Sequence, residues 1–274
     1  MTYITDSPRY RHGIARRRLD TLLAERGLAP SRSAAATSIR AGYVRVGAGG
    51  ARATKPSQLI ALDTELVVEE PQRYVSRGGL KIEGALDALG VSVDGLDCLD
   101  VGASTGGFTD CLLQRGAGRV IALDVGRGQL EWRLRNDERV SVIEGMNART
   151  LAGDDLPFAP HFVTVDVSFI SLKKILPALA NCMTAGGRIM ALVKPQFELG
   201  PKRVGKGGIV RSIEARSEAI ESVAHAGESL GLGVIGIAPA ALRGAKGNQE
   251  TFLLFDRGAP RHSDLESAML RVGV

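Results

Sequence analysis

Two charged residues close apolar runs in this chain. Asp166 follows Val163-Thr164-Val165, and Lys194 follows Ala191-Leu192-Val193. A charge at the end of a buried strand is costly unless it has a partner or a task. On adjacent strands the two would form a salt bridge or share a chemical role. A third stretch, CLDVGASTGGFT from Cys98 to Thr109, reads as strand, glycine turn and helix. Gly102, Gly106 and Gly107 let the backbone approach a ligand, and the helix start offers free N–H groups. Ser104 stands where a dinucleotide fingerprint has its second glycine, the one that makes room for a pyrophosphate. Three readings stay open: a phosphate-free nucleoside ligand such as S-adenosylmethionine, a dinucleotide, or an ordinary tight turn. The candidate ligand contacts are Asp100, Gly102, Ser104, Thr105, Gly106, Gly107 and Phe108. Asp124, about twenty residues further on, can accept hydrogen bonds from ribose hydroxyls or merely shape a turn. Asn147 either bonds an adenine edge or is a loop residue.

The elements that must position these residues alternate. Strands are expected at 97–101, 119–124, 140–144, 162–166, 187–194, 233–240 and 251–256, and helices at 105–115, 129–135, 171–182 and 212–230. Such alternation implies an α/β fold with a largely parallel sheet covered on both faces. The last two strands have no clear helix between them and are expected to be antiparallel, giving a Rossmann-like seven-stranded sheet. Ligands in such sheets sit at the carboxyl ends of the strands. Lys81 is expected at the start of a helix with Ile82, Ala85, Leu86 and Leu89 on one face. The macrodipole disfavours a cation there, which argues for a use other than helix stability.

The chain has 274 residues, 44% hydrophobic, and a net charge of +5 that is unevenly placed. Residues 1–80 carry 13 Lys and Arg against 7 Asp and Glu, a net of +6, and the remainder a net of −1. The basic portion suits a polyanion, nucleic acid first, although a solvated basic face has the same composition. Cys98, Cys111 and Cys182 read as buried thiols, and His12, His161, His225 and His262 form no metal-ligand pattern. No apolar run approaches membrane-spanning length, so a soluble cytoplasmic protein without bound metal is expected. The expected organisation is a tail at 1–14, a small α+β domain at 15–70, a linker at 71–79, the sheet domain at 80–257 and a tail at 258–274.

The N-terminal portion resembles the S4 RNA-binding domain in Arg18-Leu19-Asp20, Leu23, Gly27, Ser31-Arg32, Ala35, Ile39, Gly42-Tyr43-Val44, Val46 and Pro56. The resemblance implies docking on structured RNA, with Arg16, Arg18, Arg32 and Arg40 as candidate phosphate contacts, unless they only solvate their helices. Further on, Val75-Ser76-Arg77-Gly78, the glycine turn, Asp124-Val125-Gly126, Asp166 to Ser171, Leu192 to Glu198 and Gly247-Asn248-Gln249-Glu250 are similar to the TlyA family. That family of ribosomal RNA cytidine 2′-O-methyltransferases, also called hemolysins, is related to the FtsJ group. The resemblance implies S-adenosylmethionine as cofactor, ribosomal subunits as partners and an influence on sensitivity to ribosome-targeting antibiotics. It implies a catalytic tetrad at Lys81, Asp166, Lys194 and Glu250. Lys194 would be base or alkoxide stabiliser, with Asp166 and Glu250 orienting the lysines. The extended N-terminus suggests modification of both subunits, and a monomer is expected.

Some chemistry is disfavoured by the residues. No Asn/Asp-Pro-Pro-aromatic motif follows the fourth strand, and no cysteine ends the fourth or fifth, which speaks against base amino-group and cytosine-C5 methylation. Phe169 either stacks on a flipped nucleotide or packs the core. Pro201 to Gly208 reads as a basic lid or a plain surface loop. The competing functions are a membrane-active hemolysin, which would want an amphipathic or spanning segment, and a catalytically silent RNA-binding assembly factor.

Overall fold

A computed structural model describes residues 15–69, 73–200, 203–244, 246–260, 265–271 and 273. The expected tail at 1–14 and the linker residues 71 and 72 lie outside them. The chain divides into two compact units, Met1–Gln72 and Arg73–Val274.

In the first unit the elements are β1 (Arg16–Arg18), α1 (Leu19–Glu25), α2 (Arg32–Arg40), β2 (Val44–Val46), β3 (Ala51–Arg52), β4 (Leu59–Ala61) and β5 (Leu66–Val68). Leu19, Leu22 and Leu23 of α1 pack on Ala35 and Ile39 of α2 and on Val44. Ser31 caps α2, its hydroxyl accepting the Ala34 N–H at 3.1 Å. The arginine run at 16–18 is a strand, paired antiparallel with β4. A run of one residue type carries no periodicity, so this distant pairing left no mark in the sequence.

The second unit begins with α3 (Gly78–Ala88), which takes up two residues of the expected linker. There follow β6 (Asp97–Val101), α4 (Gly107–Gln114), β7 (Arg119–Asp124), α5 (Trp132–Arg135), β8 (Val140–Glu144) and β9 (Phe162–Val165). The unit continues with α6 (Leu176–Cys182), β10 (Arg188–Val193), α7 (Pro195–Glu198), α8 (Ile213–Glu228), β11 (Leu232–Pro239), β12 (Thr251–Arg257) and α9 (Leu265–Arg271). The sheet order is β11-β12-β10-β9-β6-β7-β8. β12 runs antiparallel to both its neighbours, while β10, β9, β6, β7 and β8 are parallel.

Both faces of the sheet are dry, which explains why its strands read as continuous apolar runs. Leu99, Val163 and Ala191 face α6 and α8, in a core with Leu176, Leu179, Ile220 and Val223. Cys98, Phe162 and Met190 face α3 and α4, in a core with Ile82, Leu86 and Leu112. The expected C-terminal tail is corrected in part: α9 buries Ala268 and Met269 in the first of these cores. Strand order reverses between β6 and β9, and their register, Val101 opposite Val165, places Gly102 beside Asp166. That reversal is where an open α/β sheet binds its ligands.

Candidate active site

The glycine turn is shaped by packing as much as by room for a ligand. Gly102 lies at φ +84°, and a Cβ there would fall 2.3 Å from the Asp166 carbonyl oxygen. Gly106 caps α4 at φ +97°; a Cβ on it would meet Leu134 at 2.3 Å and Leu130 at 2.8 Å. Gly106 thus serves the seating of the segment around α5, and it does not line the cleft. Ser104, at φ +49°, donates its N–H to Asp124 Oδ2 at 2.8 Å, and Gly126 N–H bonds Asp124 Oδ1 at 2.7 Å.

Over this turn lies a cleft of two lobes that share Gly102, Ser104, Asp166, Ser168 and Phe169. One lobe, about 570 Å³, is walled by Asp124, Val125, Met146 and Asn147. The Asn147 carboxamide oxygen accepts the Arg149 N–H at 3.0 Å, so a base edge would meet the donor half of the amide. The other lobe, about 560 Å³, is walled by Thr105, Gly107, Phe108 and all four tetrad candidates.

Asp100 is corrected as a ligand contact. It is fully buried, with Oδ2 accepting the Thr109 N–H (2.9 Å) and hydroxyl (2.7 Å) and Oδ1 accepting the Thr164 hydroxyl (3.0 Å). It ties α4 and β9 to the central strand. Burial outweighs these bonds and raises its pKa from 3.8 to about 6. Between those values the folded chain holds a proton that the unfolded chain has lost, so stability falls as pH rises through that window. The component is about 3 kcal/mol at most. Asp100→Asn cannot titrate. Urea unfolding at pH 4.5 and 7 should show wild type gaining on the variant at the lower pH, and a pH-independent difference would refute this account.

The tetrad candidates meet as two ion pairs. Lys81, in the first turn of α3, places Nζ 2.6 Å from Glu250 Oε2. Lys194, where β10 gives way to α7, places Nζ 2.5 Å from Asp166 Oδ1 and donates to Ser168 Oγ at 3.1 Å. Glu250 and Lys194 are buried, and Asp166 is partly open to the cleft. Glu250 has room for its carboxylate because Gly244 has no side chain; a Cβ there would lie 2.3 Å from Oε1.

Several contributors escaped sequence reasoning. Ser168 lies inside the motif that contains Asp166, but nothing in its type announced a bond to Lys194. Asn248, 1% exposed, accepts the Val210 N–H and donates to the Gly208 carbonyl, each at 2.8 Å, and so fastens the glycine-rich loop whose Val204 and Gly208 wall the catalytic lobe. Pro201 and Lys202 of that loop lie outside the described residues. Phe169 settles against the core reading: it is 89% exposed at φ +65°, with its ring 5.2 Å from that of Phe197. Glu198 accepts the Ser171 hydroxyl at 2.5 Å and the Leu172 N–H at 2.8 Å, and burial pushes its carboxyl pKa up.

In the first unit, Asp20 is buried and takes Arg18 at 2.8 Å and Arg32 at 3.2 Å; these bonds, led by Arg18, hold its carboxyl well below the usual range. Each guanidinium has donors beyond those Asp20 uses, so Asp20 fixes Arg18 and Arg32 in place without exhausting them. Arg16 and Arg40 are exposed. Among the described residues, no three His, Cys, Asp or Glu side chains converge on a metal position, and no helix is long and apolar enough to cross a membrane.

Residues 74–257 match the family described as FtsJ-like methyltransferase, and residues 17–66 match the S4 domain. The chain is 46% identical over 240 residues to the 16S/23S rRNA (cytidine-2′-O)-methyltransferase TlyA of Mycobacterium tuberculosis, covering 87% of this chain and 89% of that one. It is 40% identical to hemolysin A of Brachyspira hyodysenteriae, covering 85% of this chain and 97% of the relative. A solved structure carrying the hemolysin label, from Streptococcus thermophilus, superposes with a TM-score of 0.71 at 39% identity, over 95% of this chain and 96% of that one.

Proposed function

Because the chain belongs to the TlyA family, in which an S4 domain precedes an FtsJ-like methyltransferase domain, we propose that it methylates the 2′-hydroxyl of cytidine in ribosomal RNA with S-adenosylmethionine as donor. The observation that carries this reading is the convergence of Lys81, Asp166, Lys194 and Glu250 in one lobe beside the glycine turn. Ribosomal RNA of both subunits is the substrate carried over from the Mycobacterium tuberculosis relative.

The donor pocket fits a nucleoside without phosphates. In a phosphate-binding turn the loop N–H groups face the anion. Here the Ser104 N–H is bonded to the Asp124 carboxylate, which would repel a pyrophosphate. Asp124 keeps lone pairs for ribose hydroxyls, Asn147 offers its amide donors to the base, and Val125 and Met146 give the lobe an apolar wall.

When bound, S-adenosylmethionine supplies a methyl group already activated by its sulfonium. The chain aligns the ribose oxygen and manages its proton. Lys194, held as an ammonium by Asp166 and Ser168, neutralises the charge that develops on the oxygen as its proton leaves to solvent; in its neutral form it takes up that proton itself. Lys81, fixed by Glu250, adds a second positive group in the same lobe. Phe169, exposed at the rim shared by the two lobes, offers its ring to the base of the target nucleotide once it leaves its stack.

Mapping 2′-O-methyl groups on ribosomal RNA with and without the protein tests the reading. A cytidine site that depends on the protein is expected. If no cytidine in either subunit's RNA changed, the assignment would fail.

A further inference from the structure

Glu198 lines neither lobe of the cleft, yet it is the last of a series of links between the exits of β9 and β10. The backbone ladder joining those strands ends at Val165 and Ala191. Beyond it side chains take over: Lys194 holds Asp166 and Ser168, the Phe197 ring packs on Phe169, and Glu198 holds the Ser171 hydroxyl and the Leu172 N–H. Phe169 sits in the middle of this span in left-handed backbone, at φ +65°. An aromatic residue keeps such a conformation only where its surroundings enforce it. On the amino side of Phe169 the enforcing group is Lys194, and on the carboxyl side it is Glu198.

We infer that Glu198 is a positioning residue: by clamping Ser171 and Leu172 it holds the strained Phe169 loop in place, and so governs engagement of the RNA nucleotide. This rests on the function proposed above. Two features separate the clamp from generic packing. Its two acceptor oxygens are matched to two successive donors, Ser171 and Leu172, that follow Phe169 after a single intervening residue. Burial also works against its charge and raises the carboxyl pKa, which the bonds from Ser171 and Leu172 and the nearby Lys173 offset only in part. Glutamine can therefore replace it, with Oε1 accepting the Leu172 N–H and Nε2 donating to Ser171 Oγ. Alanine cannot.

The test uses the full chain with Glu198→Ala, Glu198→Gln and Ser171→Ala. Hydrogen exchange in the segment 166–173, read without substrate, should quicken about tenfold or more in Glu198→Ala. Glu198→Gln should stay near wild type, and Ser171→Ala, which removes one of the two bonds, should fall between. In methyl-transfer assays Glu198→Ala should raise the KM for RNA about tenfold while the Kd for S-adenosylmethionine changes less than about threefold. A merely structural loss would lower the active fraction and leave KM alone. Exchange and KM in Glu198→Ala equal to wild type would overturn the inference. Should that variant not fold, unchanged exchange in Ser171→Ala does the same. Absence of methyl transfer by wild type counts against the function, whereas the exchange data still judge the clamp.

Discussion

Lys194→Ala is expected to lower methyl transfer to ribosomal RNA at least about a thousandfold, because on the proposed function it removes the group that meets the 2′-hydroxyl proton or the charge left behind. Binding of S-adenosylmethionine should survive, since Asp124, Asn147 and the apolar wall belong to the other lobe. Removing the ammonium leaves Asp166 without its counter-ion, but that carboxylate is partly open to the cleft and can hydrate. The stability loss is therefore expected to stay near 1–3 kcal/mol, below the cost of orphaning a fully buried charge. Lys194→Arg should not restore turnover, because the larger planar guanidinium cannot place its charge where the compact ammonium sits between Asp166 and Ser168, and it cannot serve as a base at neutral pH. Single-turnover methyl transfer and calorimetric titration with S-adenosylmethionine separate the two effects. Turnover within tenfold of wild type would remove Lys194 from the reaction.

Gly102→Ala is expected to damage both stability and chemistry. Its Cβ would stand 2.3 Å from the Asp166 carbonyl oxygen and 2.9 Å from the carbonyl carbon, and these are backbone atoms that cannot swing aside. The left-handed φ of +84° adds strain. Together these predict a loss of about 2–5 kcal/mol. The only relief is to push apart the exits of β6 and β9, which displaces Asp166 and with it Lys194, so turnover should fall about a hundredfold. Gly128→Ala is the control: its φ is +68° but nothing lies within 4 Å of a new Cβ. It should cost only the backbone term, about 1 kcal/mol. Urea unfolding of both variants beside the methyl-transfer rate decides the matter, and equal behaviour would mean that the close contact with Asp166 is unimportant.

Much of the sheet domain was legible because its determinants are local. The run from Cys98 to Val101, the glycine turn and the lysine after Val193 state strand, crevice and charge within a few residues. Lys81 and Lys194 stood out as charges in unfavourable places, and each has its carboxylate. Glu250 did not stand out; only family resemblance joined it to Lys81. Non-local partnerships were invisible. Asp100 read as a ligand contact because it precedes the glycine turn, and its true partners, Thr109 and Thr164, lie on α4 and β9. β1 needed β4, and Glu198 needed a loop on the neighbouring strand. α9 is only seven residues long, and Ala268 and Met269 find their partners in the core of the distant sheet, so nothing local marks it as part of the domain.

β12 runs against its neighbours, so its beginning lies at the same edge as the ends of β9 and β10. Glu250 therefore reaches Lys81 from 169 positions away in the chain, and the first helix of the domain is joined to its last strand. During synthesis the donor pocket can close around β6, β7 and β9 while Lys81 still lacks its counter-ion. Completion of the reactive edge has to await the final hairpin, which makes the pair a report that the whole domain is present. A chain nicked or stopped ahead of Gly247 would keep the glycine turn and lose the means to use it.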